Sequence, residues 1–266
     1  MFGFSPKLPI SEEDRQWVNE GFNRLDKLLG RRRMLEATVI TPTAEDFPDP
    51  YDKTTEAAEK LFSRVCHYMH VVRSEIEFEI FPDETEELKA ILPSWSGRGG
   101  KHAAGLYIHA MEERGFAGSD GKSPGAVVAI RSSQLKDPLA LVATMAHELG
   151  HVILLGGGLM NPKPADHEPM TDLLTVYLGL GIFTANSAGR FQQFQNDRRI
   201  GWSMQRLGYL PEEVFAYALA KFVVERSEDR VAWERHLSTN VRAYFKRSGA
   251  WLAKNPQYVA TAKPIG

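Results

Sequence analysis

The pattern of hydrophobic and polar positions divides the chain into a mixed first half and a helical second half. In the first half, apolar residues at helical spacing predict amphipathic helices over SEEDRQWVNEGFNRLDKLLG, with Ser11 as the N-cap, and over KTTEAAEKLFSRVCHYM. Four short stretches of apolar, β-branched or alternating residues predict strands: ATVI, SEIEFEIF, AAGLYIHAM and AVVAIRSS. In SEIEFEIF the alternation places the glutamates on a solvent-exposed face, which is a simpler interpretation than a metal cluster.

From Asp137 onward, almost every predicted element is a helix. The stretch DPLALVATMAHELGHVILL has Asp137 as its N-cap and Pro138 at its first helical position, and this helix is expected to end at Gly156. A crossing rich in glycine and proline then leads to HEPMTDLLTVYLGLGIF, which predicts a second apolar helix. Further helices are expected around residues 190–207, 211–226 and 230–253.

These elements together predict an α+β fold in one domain. A small mixed sheet within residues 1–136 is expected to pack on the helix that carries the sequence HELGH. The helices of residues 137–266 form a mainly helical C-terminal half and are expected to complete one wall of a cleft. Because no long linker interrupts the chain, we expect a single domain over residues 1–266.

Composition and charge narrow the class of protein. The 266 residues are 43% hydrophobic and 25% charged, as in soluble globular proteins, and the formal net charge of -2 argues against nucleic acid as a partner. Neither a signal peptide nor a run of about 18 unbroken apolar residues is evident, so we expect a cytoplasmic protein without a membrane partner. The single cysteine, Cys66, excludes a cysteine-based zinc site and is interpreted as a buried, inert thiol. No pattern indicates the oligomeric state.

Two histidines and a glutamate in TMAHELGHVI form the strongest chemical signal in the chain. His147 and His151 are four residues apart, so on a helix both imidazoles point to one side, as two ligands of a tetrahedral zinc ion must. Glu148 is turned to the flank, where it can reach a water at the metal without being a ligand; this is the arrangement of the His-Glu-x-x-His motif. The alternative is a pair of hydrogen-bonded core histidines with Glu148 paired to an arginine.

A third protein ligand for zinc is expected on the following helix. A histidine six residues after His151 is excluded, because residue 157 is glycine. In DHEPMTD, Glu168 and Asp172 are four residues apart on one face of an otherwise apolar helix, where buried carboxylates need a cation or hydrogen-bond donors. Zn2+ would compensate them, with Glu168 as the ligand and Asp172 accepting a hydrogen bond from the non-ligating nitrogen of His147. The alternative is that both acids only favour the positive end of the helix dipole.

The sequence HELGH, a short crossing and Glu168-Pro-Met-Thr-Asp172 together resemble the thermolysin-type zinc metallopeptidases, the gluzincins. The resemblance covers residues 137–183 and implies a zincin-like fold, with a glutamate as third zinc ligand and an aspartate one turn later in the outer shell. The crossing is shorter than in thermolysin, and His167 stands where the family commonly has asparagine. The motif pair also resembles that of uncharacterised bacterial proteins, which imply no particular activity.

The resemblance implies a zinc-dependent metallopeptidase that acts on a peptide or protein substrate, with Glu148 as the general base. The strand AVVAIRSS is expected to be an edge against which an extended peptide pairs. Four residues remain candidates for the donor to the oxyanion: Arg190, Tyr209, Tyr217 and His236. The alternative function is a zinc-binding regulatory or scaffold protein with little or no turnover. The intact Glu148 favours the enzyme, because a scaffold does not need a base.

Overall fold

The computed structural model describes residues 7–82, 105–109, 126–160, 167–195, 210–228 and 231–259. Within these ranges the chain forms eight α-helices and three strands, so the predicted mixture of helix and sheet is confirmed. The helices are α1 (Glu12–Leu29), α2 (Arg31–Leu35), α3 (Thr55–Tyr68), α4 (Pro138–His151), α5 (His167–Tyr177), α6 (Gly181–Gln195), α7 (Glu212–Glu225) and α8 (Thr239–Lys254). The strands are β1 (Ile76–Phe81), β2 (Gly105–His109) and β3 (Ala126–Arg131).

The chain divides into two compact units. The central unit runs from Pro42 to Pro164 and contains α3, α4 and the three strands. The terminal unit comprises Met1–Thr41 and Ala165–Gly266 and contains the other helices.

In the central unit, the strands form a mixed sheet in the order β1-β3-β2. β1 is parallel to β3, with Phe78 opposite Val128, and β2 is antiparallel to β3, with Tyr107 opposite the same valine. Helix α3 packs on the face of the sheet that carries Phe78, whose ring stacks on that of Phe62 with 4.2 Å between the centroids. Helix α4 contacts α3, β2 and β3, so the sheet and α3 support the helix that carries HELGH.

The strand AVVAIRSS is not an edge strand, and this prediction is wrong. β3 pairs with β1 on one side and with β2 on the other along Ala126–Arg131, so its main-chain groups are already engaged and an added peptide cannot pair with them. The reason lies in the composition of the strand. Residues 126–130 are all buried, and a strand buried on both faces reads as continuously apolar, which is typical of a central position.

The segment ATVI forms no strand, so this prediction is also wrong. The Ile40 amide donates instead to the carbonyl oxygen of Gly179 at 2.9 Å, which ties the segment to the turn after α5. Gly179 has a φ of +89°, and a Cβ at this position would collide with the carbonyl oxygen of Thr38. This left-handed turn divides the predicted helix HEPMTDLLTVYLGLGIF into α5 and α6.

In the terminal unit, α7 contacts α1, α5, α6 and α8 and is the central helix. Helix α1 begins at the N-cap Ser11 and ends before Gly30, as the sequence predicts. Gly21 of α1 allows α5 to approach closely, because a Cβ there would collide with the side chain of Leu173. The atom met there is Cδ2 of Leu173, so the two helices are in close side-chain contact at this point.

Among the described residues, one stretch is long and apolar enough to cross a membrane by length and composition alone, Pro138–Gly156. Of its most apolar window, 67% is buried inside the structure. Core helices of globular proteins pass the same test, so the stretch is weak evidence for a membrane-spanning segment.

Candidate metal centre

The helix that carries HELGH begins at the predicted residue and is buried along most of its length. The Asp137 carboxylate accepts hydrogen bonds from the amides of Leu139 at 3.1 Å and Ala140 at 3.2 Å, and Pro138 occupies the first turn. All residues from Leu141 to His151 are buried. The cap and the apolar sequence therefore produce a helix whose polar side chains in HELGH lie inside the protein.

The two histidines of α4 are neighbours within the central unit. His147 is 4% exposed and His151 is 6% exposed, and their ring centroids lie 4.8 Å apart with the ring planes at 86°. Glu148, which follows the first histidine, is 5% exposed. Two imidazoles one helical turn apart can each direct a nitrogen to a common point, which is the arrangement that their spacing predicts.

The last turn of this segment differs from the predicted α-helix. Helix α4 ends at His151 and continues as a π-helix over Val152–Gly156, with Gly157 as the C-cap. The predicted end at Gly156 is therefore right in position, but the final residues form a wider turn. Such π-helical turns are rare and occur frequently at functional sites, and this one begins directly after the second histidine.

Helix α5 holds the predicted acidic pair in two different environments. Glu168 lies in the first turn with its side chain 31% exposed, and Nδ1 of His167 is 3.5 Å from its Oε1. Asp172 is 3% exposed, and its Oδ2 accepts a hydrogen bond from the Leu210 amide at 2.8 Å. The helix dipole is sufficient to explain an acid at Glu168, whereas the buried Asp172 is stabilised by a main-chain donor just before α7.

The structure brings together a candidate metal-binding triad of His147, His151 and Glu168. One nitrogen from each imidazole and one oxygen of the carboxylate all lie within 4.8 Å of one another. Two of these side chains are buried and Glu168 is half-buried. The predicted base Glu148 and the predicted outer-shell Asp172 are each on the same helix as a member of the triad, without belonging to it.

The structure does not single out one of the four candidates for the oxyanion donor. Two of them have side chains outside the described residues: Arg190 and Tyr209. Tyr217 is completely buried in α7, where its hydroxyl donates to Asn19 Oδ1 at 3.2 Å and burial raises its pKa to about 12. The imidazole of His236 accepts a hydrogen bond from Nε of Arg235 at 3.1 Å. Both described side chains thus have partners within the terminal unit.

The structure also bears on the cysteine and on the glutamates of β1. Cys66 is fully buried, and burial raises the pKa of its thiol to about 12, in agreement with an inert thiol. Glu77 and Glu79 are half-buried rather than exposed, and burial, together with the neighbouring Glu77, raises the pKa of Glu79. The predicted solvent face is therefore only partly exposed: Glu75 is exposed, whereas Glu77 and Glu79 lie beside Val127 and Ala129 of β3, which are buried.

Two contacts of the site residues could not be predicted from the sequence. The donor to Asp172 comes from Leu210, 38 residues further along the chain, and no local pattern connects the two. The approach of His167 to Glu168 is not predictable either, because residues next to each other on a helix do not normally face one another.

Comparison of the chain with protein-family models, with curated proteins and with solved structures finds no match. The interpretation of the site therefore rests on its residues and their geometry. The three features that bear on it are the donor set of the triad, the burial of α4 and the position of Glu148.

Proposed function

We propose that this chain is a zinc-dependent metallopeptidase of the gluzincin type, in which His147, His151 and Glu168 bind Zn2+ and Glu148 is the general base. The main support is the separation of the three ligand atoms, which all lie within 4.8 Å of one another. Two imidazoles and one carboxylate are a ligand set of catalytic zinc, which keeps a fourth position for water or substrate. A zincin-like arrangement of the fold belongs to the same proposal.

The residues present fit a zinc ion in ligand type, distance and charge. Zinc bonds to nitrogen and oxygen are about 2.0–2.2 Å long, so tetrahedral ligand atoms lie about 3.3–3.6 Å apart. The observed bound of 4.8 Å is compatible with this spacing after small rotations of the side chains. The Glu168 carboxylate would offset part of the charge of the ion, and the burial of the two histidines would strengthen that attraction.

Zinc bound there would supply Lewis-acid chemistry, because it polarises a carbonyl oxygen and lowers the pKa of water. The proposed role of Glu148 is to transfer a proton of the attacking water. Its carboxylate oxygen accepts a proton from the attacking water and passes it to the nitrogen of the leaving amine, so that the peptide bond is replaced by a carboxylic acid and an amine. With Glu148 only 5% exposed, this transfer is shielded from bulk water.

The proposed task of Asp172 is to orient a histidine. A carboxylate that accepts a hydrogen bond from the non-ligating nitrogen of His147 would fix the ring and raise its basicity. The hydrogen bond from the Leu210 amide to Asp172 Oδ2 would hold that carboxylate in place.

The test compares the cleavage of a peptide library by the wild type and by Glu148→Gln, with the zinc content of both proteins measured. Glutamine keeps the size of the side chain but cannot take the proton, so we expect wild-type zinc content and a loss of cleavage of about 10²-fold or more. His67→Ala removes an exposed histidine of α3 and is the matched control, with full cleavage expected.

Two outcomes would contradict the peptidase. A Glu148→Gln variant as active as the wild type would remove the general base from the mechanism. A wild type that binds zinc but cleaves no peptide would favour the alternative, a zinc-binding regulatory or scaffold protein with little or no turnover.

A further inference from the structure

A second buried polar cluster lies in the terminal unit, at the opposite end of α5 from Glu168. We call it the Tyr177 network, and its members come from α1, α2, α5 and α7: Asp26, Arg31, Tyr177, Lys221 and Glu225. Tyr177 is the last residue of α5 and is completely buried. Lys221 and Glu225 are 2% and 4% exposed, whereas the side chains of Asp26 and Arg31 are 17% and 25% exposed, so the cluster extends from the helical core towards the surface.

The network is a continuous series of hydrogen bonds and ion pairs. The Tyr177 hydroxyl lies 2.8 Å from Asp26 Oδ1 and 3.0 Å from the carbonyl oxygen of Gly30, and its single proton is shared between these two acceptors. Arg31 Nη1 donates to Asp26 Oδ2 at 2.9 Å and lies 3.1 Å from Glu225 Oε2. The end of α5 is thereby connected to α1, to the turn after it and to α7.

The charges of the network balance, since Lys221 and Arg31 oppose Glu225 and Asp26. The Lys221 ammonium pairs with Glu225 Oε1, one turn along α7. Burial raises the pKa of Tyr177, and the hydrogen bond to Asp26 raises it further, so the hydroxyl stays a donor. A hydrogen bond from that hydroxyl to a carboxylate is of the stronger, charge-assisted kind.

Helix α5 has a candidate zinc ligand near one end and this anchor at the other. Glu168 is its second residue and Tyr177 its last, which separates them by about 13 Å along the axis. Between them, Leu173 packs closely over Gly21 of α1. Apolar packing of this kind sets the distance between the helices, whereas a hydrogen bond depends on angle as well as distance and also resists rotation and sliding.

We propose that Tyr177 is a positioning residue for Glu168 and acts through helix α5. Its hydroxyl, held by Asp26 and Gly30, fixes the rotation and the axial position of the helix and thereby the direction in which Glu168 presents its carboxylate. This role rests on the zinc centre proposed above and adds a determinant of its affinity. The Tyr177 hydroxyl, at the far end of α5 from the metal, would thus determine how well Glu168 reaches the zinc ion.

The experiment compares Tyr177→Phe with Tyr217→Phe. Each substitution removes the hydroxyl of a completely buried tyrosine of the terminal unit, and each hydroxyl donates to an acceptor on α1, either Asp26 or Asn19. Only Tyr177 lies on the helix that carries Glu168. In competition with a chromophoric chelator, we expect the zinc affinity to fall on the order of tenfold in Tyr177→Phe and to stay at the wild-type value in Tyr217→Phe.

X-ray absorption at the zinc edge provides a readout that lower stability alone does not change. In Tyr177→Phe we expect a weaker first shell of nitrogen and oxygen neighbours taken together, and in Tyr217→Phe the wild-type spectrum. The same zinc affinity in both variants would overturn the role of Tyr177 while leaving the zinc centre intact. A wild type that binds no zinc would overturn the proposed function itself, so the two failures are distinguishable.

A second variant covers the case in which Tyr177→Phe does not fold. Asp26→Asn keeps an acceptor oxygen for the Tyr177 hydroxyl but removes the charge that strengthens the hydrogen bond. We expect weaker zinc binding than in the wild type, and an unchanged affinity would overturn the inference.

Discussion

The protein contains two clusters of polar side chains in buried surroundings, and they are built from different kinds of group. In the Tyr177 network, cations and anions alternate, and each carboxylate faces a guanidinium, an ammonium or a hydroxyl. In the candidate metal centre, two imidazoles and one carboxylate direct their ligand atoms to the same small region. The first cluster contains its own counter-charges, whereas the second is composed of groups that bind a cation well.

This difference shows what kind of compensation each cluster needs. Buried charges are tolerated when opposite charges and hydrogen bonds offset the loss of hydration. Arg31 and Lys221 provide that inside the terminal unit. His147, His151 and Glu168 are all of metal-ligand type, so under the proposed function we expect an added metal ion to increase stability through the candidate centre and not through the network.

The largest expected loss of stability comes from removing a charge from the Tyr177 network. Lys221→Ala would remove the ammonium partner of the buried Glu225 and leave Arg31 as its cationic partner in the network, so we expect a loss near the lower end of about 3–5 kcal/mol in the free energy of unfolding by urea. Arg32→Ala is the control, because the Arg32–Glu36 pair has side chains 79% and 61% exposed and is expected to contribute less than about 1 kcal/mol. Equal losses in the two variants would remove the distinction between buried and exposed pairs.

The second-largest expected effect is the stabilisation of the protein by zinc at the candidate metal centre. At a free zinc concentration of about 100 times the Kd, binding is expected to stabilise the wild type by about 2.7 kcal/mol, measured as a shift in thermal or urea unfolding. In His151→Ala the stabilisation should largely disappear, whereas His67→Ala, at an exposed position on α3, should keep it. Zinc that stabilises all three proteins equally would be bound elsewhere.

A smaller loss of stability is expected at alkaline pH, where the buried tyrosines ionise. Burial raises the pKa of Tyr217 from 10.0 to about 12, so its contribution to stability is fully present below pH 10.0 and is lost as the pH rises through about 12. Tyr177 changes in the same direction, because its pKa is also raised. The urea midpoint should therefore fall over this range, and less steeply in Tyr217→Phe; a midpoint equally steep in that variant would contradict the assignment.

Much of the fold was predictable where the signal is local. Asp137, Pro138 and the apolar run after them predict the start of α4, because caps and helical periodicity act within a few residues. The break between α5 and α6 was not predictable in this way. Gly179 looks like a tolerated helix glycine in the sequence, whereas its positive φ and the close approach of the Thr38 carbonyl, far away along the chain, are visible only in the tertiary structure.

The candidate site shows the same division between local and distant information. The pairing of His147 with His151 follows from their spacing on one helix, and the motif led to Glu168 on the next. The partner of Asp172 and the partners of Tyr177 were not predictable, because Leu210 and Asp26 are 38 and 151 residues away. Side chains that join distant segments need the tertiary structure to be recognised.

The most direct measurement is the zinc content, by elemental analysis, of the wild type, Glu168→Ala and Glu56→Ala. Glu56 is the second residue of α3, as Glu168 is of α5, so both substitutions remove an acid that favours a helix dipole. We predict about one zinc ion per chain in the wild type and in Glu56→Ala, and a large loss in Glu168→Ala. A wild type without zinc after the metal is added back, or a Glu168→Ala variant that retains it, would contradict the metal centre.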